Sequence, residues 1–198
     1  MDAADAGELM EQEAPKDKFK QRAAILIAVL AMILAITALG GSNAGKEAVN
    51  NNVFASNYYS FFQAKNMRQT SYQIAADEID LAWMNSDLPA PAKAALKAKA
   101  DAYRKTAARY ESEPETGEGK KELIQRAKAF EAKRDHALKQ DPYFDYAEAL
   151  LQIAIVLVSV SIVAEIGWLV AIGGLLGAVG TLLTINGFFL LVEIPGLS

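Results

Sequence analysis

Two long stretches of this chain are too apolar to face water. Ala23 to Gly40 reads AAILIAVLAMILAITALG, and between Ala147 and Val192 the only charged residues are Glu148 and Glu165. A helix needs about 20 mostly apolar residues to cross about 30 Å of hydrocarbon, so the first stretch supplies one span and the second has room for two. A soluble buried core would need polar breaks in the second stretch, and apart from Glu165 and a few small polar residues there are none. The chain therefore reads as an all-α membrane protein with three transmembrane helices. Residues 16–41 form the first span with its basic flank, and 143–198 form a transmembrane helical hairpin. Between them, 42–142 form a helical, coiled-coil-like extramembrane domain, and a disordered acidic arm covers 1–15.

The charges say what kind of partner to expect. The arm carries Asp2, Asp5, Glu8, Glu11 and Glu13 with almost nothing large and apolar, so it cannot bury enough surface to fold alone. The net charge is −4, and acidic and basic residues are mixed through the middle of the chain, which gives nucleic acid no basic face to bind. There is no cysteine, so neither disulfides nor thiolate chemistry is available. Membrane lipid is the first partner expected, followed by further copies of the chain or other membrane-protein subunits. No cofactor and no small-molecule substrate is indicated.

The middle of the chain is punctuated helix. Gly45 to Asn85 has no proline and only one glycine, which predicts a single helix of about 40 residues, about 60 Å long. Ser86, Asp87 and Pro89 mark a stop and a new start. In the second helix Leu96, Ala100, Tyr103, Ala107 and Tyr110 recur at spacings of four and three, which lays a narrow packing seam along one face. Glu113 to Gly119 is a break rich in proline, glycine and acid. A third helix carries Leu123, Ala127, Phe130 and Ala137 on one stripe and is expected to end at Asp141-Pro142, where the next helix takes Tyr143, Phe144 and Tyr146 into the membrane. A chain that leaves the membrane on a long helix must return before Tyr146. It can do so as a long hairpin, with the second and third helices in succession along the first, or as a compact four-helix domain with the first helix kinked.

The first span is expected to be an uncleaved anchor, although its basic flank and small residues resemble a secretory signal. Lys16, Lys18, Lys20 and Arg22 against a lone Lys46 put the N-terminus in the cytoplasm, with the central domain and C-terminus outside. Lys133, Arg134 and Lys139 before the second span argue the opposite, but long loops translocate largely regardless of charge.

The segment NNNVFASNYYSFFQAKNMRQTSYQIAADEID, Asn50 to Asp80, follows one span and lies far ahead of two more. With this order of parts it resembles a bacterial inner-membrane family, number 4337 among the domains of unknown function. Gln63-Ala64-Lys65-Asn66-x-Arg68-Gln69-Thr70 is the most specific part of the likeness. The resemblance implies a membrane protein with a helical insert and brings no catalytic residues with it.

Several groups of residues could carry function. The Asn50 to Gln73 helix mixes neutral amides with aromatic residues where a solvated helix favours lysine and glutamate. Phe54, Tyr58, Phe61, Gln63 and Asn66 are thus candidates for packing between helices, either within the chain or between copies. Gly173 and Gly177 stand four apart, a spacing that lets membrane helices approach closely. Glu165 is interfacial if the turn between the last two spans lies at Glu165 to Trp168, and buried in the bilayer if it lies at Gly173-Gly174. Asn186 is the other candidate polar residue within a span. His136, beside Asp135, lacks a second ligand on its face, and Gly117-Glu118-Gly119-Lys120 lacks the spacing of a phosphate loop. The expected function is a non-enzymatic structural or accessory membrane protein. The alternative is a channel or transport-related protein using Glu165 or Asn186.

Overall fold

A computed structural model describes residues 3–84 and 87–195, with side chains described for 18–84 and 87–195. Four helices follow one another: α1 (Ala3–Met84), α2 (Ala90–Glu111), α3 (Lys120–Ala164) and α4 (Gly167–Phe189), with no strand among the described residues. Three of them, α1, α3 and α4, are long and apolar enough to cross a membrane. The expected acidic arm falls on side chains outside the described residues, although helical backbone begins at Ala3.

The chain forms two compact units, one of Met1–Ala48 with Asp135–Ser198 and one of Val49–Arg134. No separate hairpin is inserted between the first and second spans. From the apolar stretch that begins at Ala23, α1 runs without a break to Met84, and α3 begins ahead of the second apolar stretch and carries it as far as Ala164. The expected break at Asp141-Pro142 is absent too, because Pro142 lies inside α3. Proline there forfeits one backbone hydrogen bond and crowds the preceding turn, at a cost of about 3 kcal/mol in an isolated helix. Tyr143, Phe144 and Ala147, which follow it directly, are all almost fully buried, and their packing holds the helix together across the proline.

The first unit packs parts of α1, α3 and α4 around Leu30, Leu151 and Ala154, with Leu26, Ile33, Leu34, Ile155 and Leu176 against them. Helices α1 and α4 run parallel. Phe19 approaches Gly167, Leu26 approaches Gly174 and Leu30 packs on Gly177. Thr37 bonds Thr184, 147 positions further on, and the other pairs keep that offset within one residue. Helix α3 runs antiparallel to α4 in steps of seven: Gly173, Gly180 and Gly187 face Val158, Leu151 and Phe144. The buried residues of this stretch of α3, Phe144, Ala147, Leu151, Ala154, Val158 and Ser161, recur at three and four. Elsewhere the three helices turn large aliphatic side chains outward, Leu39, Val163, Leu175 and Leu182 among them, and this stretch has almost no charge to interrupt them. Burial in the core accounts for few of these apolar residues, which is the pattern of helices that can cross a membrane.

In the second unit α2 and the start of α3 take up successive stretches of α1. Tyr72 meets Tyr103 and Tyr110, with ring centroids 5.5 and 5.9 Å away, and nearer the start of the unit Tyr58 stacks on Phe130 while Phe54 packs against it at a tilt. The compact alternative with a kinked first helix does not form, because nothing between Val49 and Met84 breaks α1. The seam proposed for α2 faces inward, with Ala100 and Ala107 buried and Leu96, Tyr103 and Tyr110 half-buried. The α3 stripe does likewise through Leu123, Ala127 and Phe130.

Candidate functional site

The glycine seam of α4 belongs to the interior of the chain. A methyl group added to Gly173 would stand 2.6 Å from Val158 Cγ2 and 3.0 Å from the Ala154 carbonyl, and one added to Gly177 would stand 2.5 Å from Leu30 Cδ2. Gly173 therefore lets α3 in and Gly177 lets α1 in, so both are occupied by this chain's own helices. Their neighbour Gly174 has only Leu26 within reach, at 4.0 Å.

Glu165 occupies the turn between α3 and α4, with φ at 57°, and the chain reverses at Glu165-Ile166 rather than at Gly173-Gly174. Its carboxylate is half exposed, 3.5 Å from Lys20 Nζ, so the α3–α4 turn and the basic start of the first apolar stretch share one end of their unit. Asn186 is buried, and both halves of its amide are used. Nδ2 donates to the Val192 carbonyl at 2.8 Å, and Oδ1 accepts from the Val192 amide at 2.9 Å. The Tyr143 hydroxyl donates to the same carbonyl at 3.2 Å and accepts from the Ile194 amide at 3.0 Å. These bonds satisfy backbone groups of the segment that follows α4, so Asn186 works as a latch on that C-terminal segment.

The candidates on α1 divide between two faces. Phe54 and Tyr58 lie against Phe130, and Phe61 lies 5.4 Å from Lys65 Nζ, so the aromatic residues serve packing within the chain. Gln63 and Asn66, by contrast, are exposed. The residues that turn inward within the same motif are Lys65 and Gln69, which sequence reasoning did not single out. Counting in sevens from Ala23, buried in the first unit, would have reached Asn51 and Lys65, and the matching count through Ala55 reaches Gln69 and Ala76, all buried.

Lys65 and Gln69 hold the connection between α2 and α3. Lys65 Nζ lies 3.4 Å from Glu118 and 3.9 Å from Glu113, over the rings of Phe61 and Tyr110. The Gln69 amide donates to the Ala107 carbonyl at 3.1 Å and to Glu111 at 3.2 Å, and its oxygen accepts from Lys120 Nζ at 2.7 Å. The amide of Gln69 first, and then Lys120, hold the Glu111 carboxyl below its ordinary value. Ser112 donates to Glu122 at 2.6 Å and completes the link. Gly117 takes φ of 67°, which glycine adopts without strain. The charged groups of the cluster pair with one another, so the cluster fixes two helices on a third as a clamp.

No curated protein and no solved structure matches this chain. A family model does, over residues 19–190, which takes in both units almost whole, and it is described as a domain of unknown function. The chain thus belongs to the DUF4337 family.

Proposed function

We propose that this chain is a non-enzymatic structural or accessory membrane protein that self-associates or serves as a small subunit of a larger membrane complex. It sits in the bacterial inner membrane with its N-terminus cytoplasmic, and the domain between its first two spans, built as a coiled-coil-like bundle, reaches the periplasm. The observation that carries the reading is the outward face of α1 in the second unit. Val53, Met67 and Ile74 are each more than half exposed beside the exposed amides of Gln63 and Asn66. Exposed apolar residues set at heptad spacing among neutral polar ones, on a helix that otherwise packs well, favour contact with a further helix. Inward burial at spacings of three and four on α1, α2 and α3 supports the coiled-coil-like packing. Lys18, Lys20 and Arg22 ahead of the first apolar stretch support a cytoplasmic N-terminus.

Two contacts favour this reading over the alternative of a channel or transport-related protein. Glu165 lies at a helix turn beside Lys20, and the Asn186 amide is taken up by Val192. The deciding measurement is the mass of the complex extracted in native lipid particles. A discrete multiple of the chain mass, or the chain together with foreign subunits, is expected, whereas a lone monomer would overturn the reading.

A further inference from the structure

The outward face of α1 carries a second row of residues at heptad spacing, opposite the buried one. Val53, Ser56, Ser60, Gln63, Met67 and Thr70 follow at alternating steps of three and four, all exposed, and the same count continues to Ile74. Between Val49 and Ala76 the only charged residues on α1 are Lys65, which is buried, and Arg68, which points roughly 120° away from the row at 100° per residue. The positions flanking the row are neutral as well, with Asn52, Asn66 and Gln73 on one side and Asn57, Ala64 and Ser71 on the other. The outer faces of the neighbouring helices are built differently. Lys97, Lys99, Asp101 and Lys105 on α2, and Lys121 and Lys128 on α3, all face solvent.

That contrast identifies the occupant. A charged partner laid on this face would lose water from its charges and find none to pair with. The same face of a second copy brings no charge, matches apolar residues with apolar residues, and offers amides that each donate and accept. Because α1 also carries the first apolar stretch, two copies inserted in one membrane with one topology present their α1 helices in the same direction. Resting on the self-association reading above, we infer that two copies pair through this row, parallel and in register about a twofold axis, with Val53, Ser60, Met67 and Ile74 of each meeting their counterparts. Beyond Ile74 the row reaches Asp77, which lies 3.5 Å from Arg104, and Glu78, so like charges oppose each other there and the pairing stops.

The chain has no cysteine, which makes the test direct. Single substitutions Ser60→Cys, Gln63→Cys and Met67→Cys, with Arg68→Cys and Lys128→Cys as controls, are oxidised in native membranes, and the native mass of each variant is measured alongside. All five positions are exposed, so the fold tolerates them. In a parallel, in-register pair the three row positions give a disulfide-linked dimer at least fivefold more readily than the controls. A native mass of a chain multiple with no preferential linking at the row overturns this pairing and leaves self-association standing through another surface. A monomeric mass overturns both.

Discussion

Thr37 and Thr184 share a buried hydrogen bond of 2.7 Å between α1 and α4, while each hydroxyl also lies 2.9 Å from a carbonyl of its own helix, Ile33 for one and Gly180 for the other. Two hydroxyl protons cannot fill three contacts by donation, so one threonine donates to its own helix and the other donates to it. Removing one hydroxyl lets its partner turn to its own carbonyl. A double-mutant cycle of Thr37→Val and Thr184→Val, read by unfolding in detergent, is expected to give a coupling of about 0.6 kcal/mol, the usual size for such bonds between membrane helices.

Adjacent glycines on α4 should respond in opposite ways. Gly173→Ala forces a methyl group against Val158 and the Ala154 carbonyl, and overpacking of this kind costs about 1–3 kcal/mol. Gly174→Ala meets only Leu26 at ordinary contact distance and removes a helix-weakening glycine, so it should be neutral or stabilising by up to about 1 kcal/mol. Thermal unfolding of the two variants side by side checks the difference. Equal behaviour would mean that α3 does not pack where Gly173 admits it.

Within the clamp, the buried amide matters more than the buried cation. Gln69→Leu removes the amide donor shared by the Ala107 carbonyl and Glu111 and one of the two acceptors of Lys120, at about 1–3 kcal/mol. Lys65→Met keeps the packing against Phe61 and Tyr110 and leaves Glu118 half exposed to water, so a loss under about 1 kcal/mol is expected. Proteolysis at the 112–119 connection should rise for the first variant and stay unchanged for the second.

Acid should loosen the same cluster. The folded Glu111 carboxyl sits below its unfolded value, so its contribution is fully present above about pH 4.3 and is lost as the pH falls through the lower folded value. Glu111→Gln should remove that part of the acid sensitivity. Stability measured between pH 6 and pH 3 for both proteins tests this, and identical slopes would show that Glu111 takes no part.

The sequence by itself determined most of the elements, because the signals concerned are local. An unbroken apolar run of this length reads as a helix able to cross a membrane, and the inward seams of α2 and α3 follow from spacing alone. The position of the turn between the last two spans does not, since Glu165 to Trp168 and Gly173-Gly174 both suit the spacing, and it is the fold that puts it at Glu165. Tertiary structure decided the rest. Pro142 breaks a helix by its own chemistry, yet α3 continues because Tyr143, Phe144 and Ala147, directly after the lost bond, are buried. Whether Gly173 and Gly177 met the chain's own helices or a neighbour's could not be read from their spacing, since a close approach looks alike whichever chain supplies it. The division of α1 between an aromatic face turned to Phe130 and an outward row through Gln63 depended on where α2 and α3 come to rest. Those long-range contacts select which of two equally periodic faces is buried.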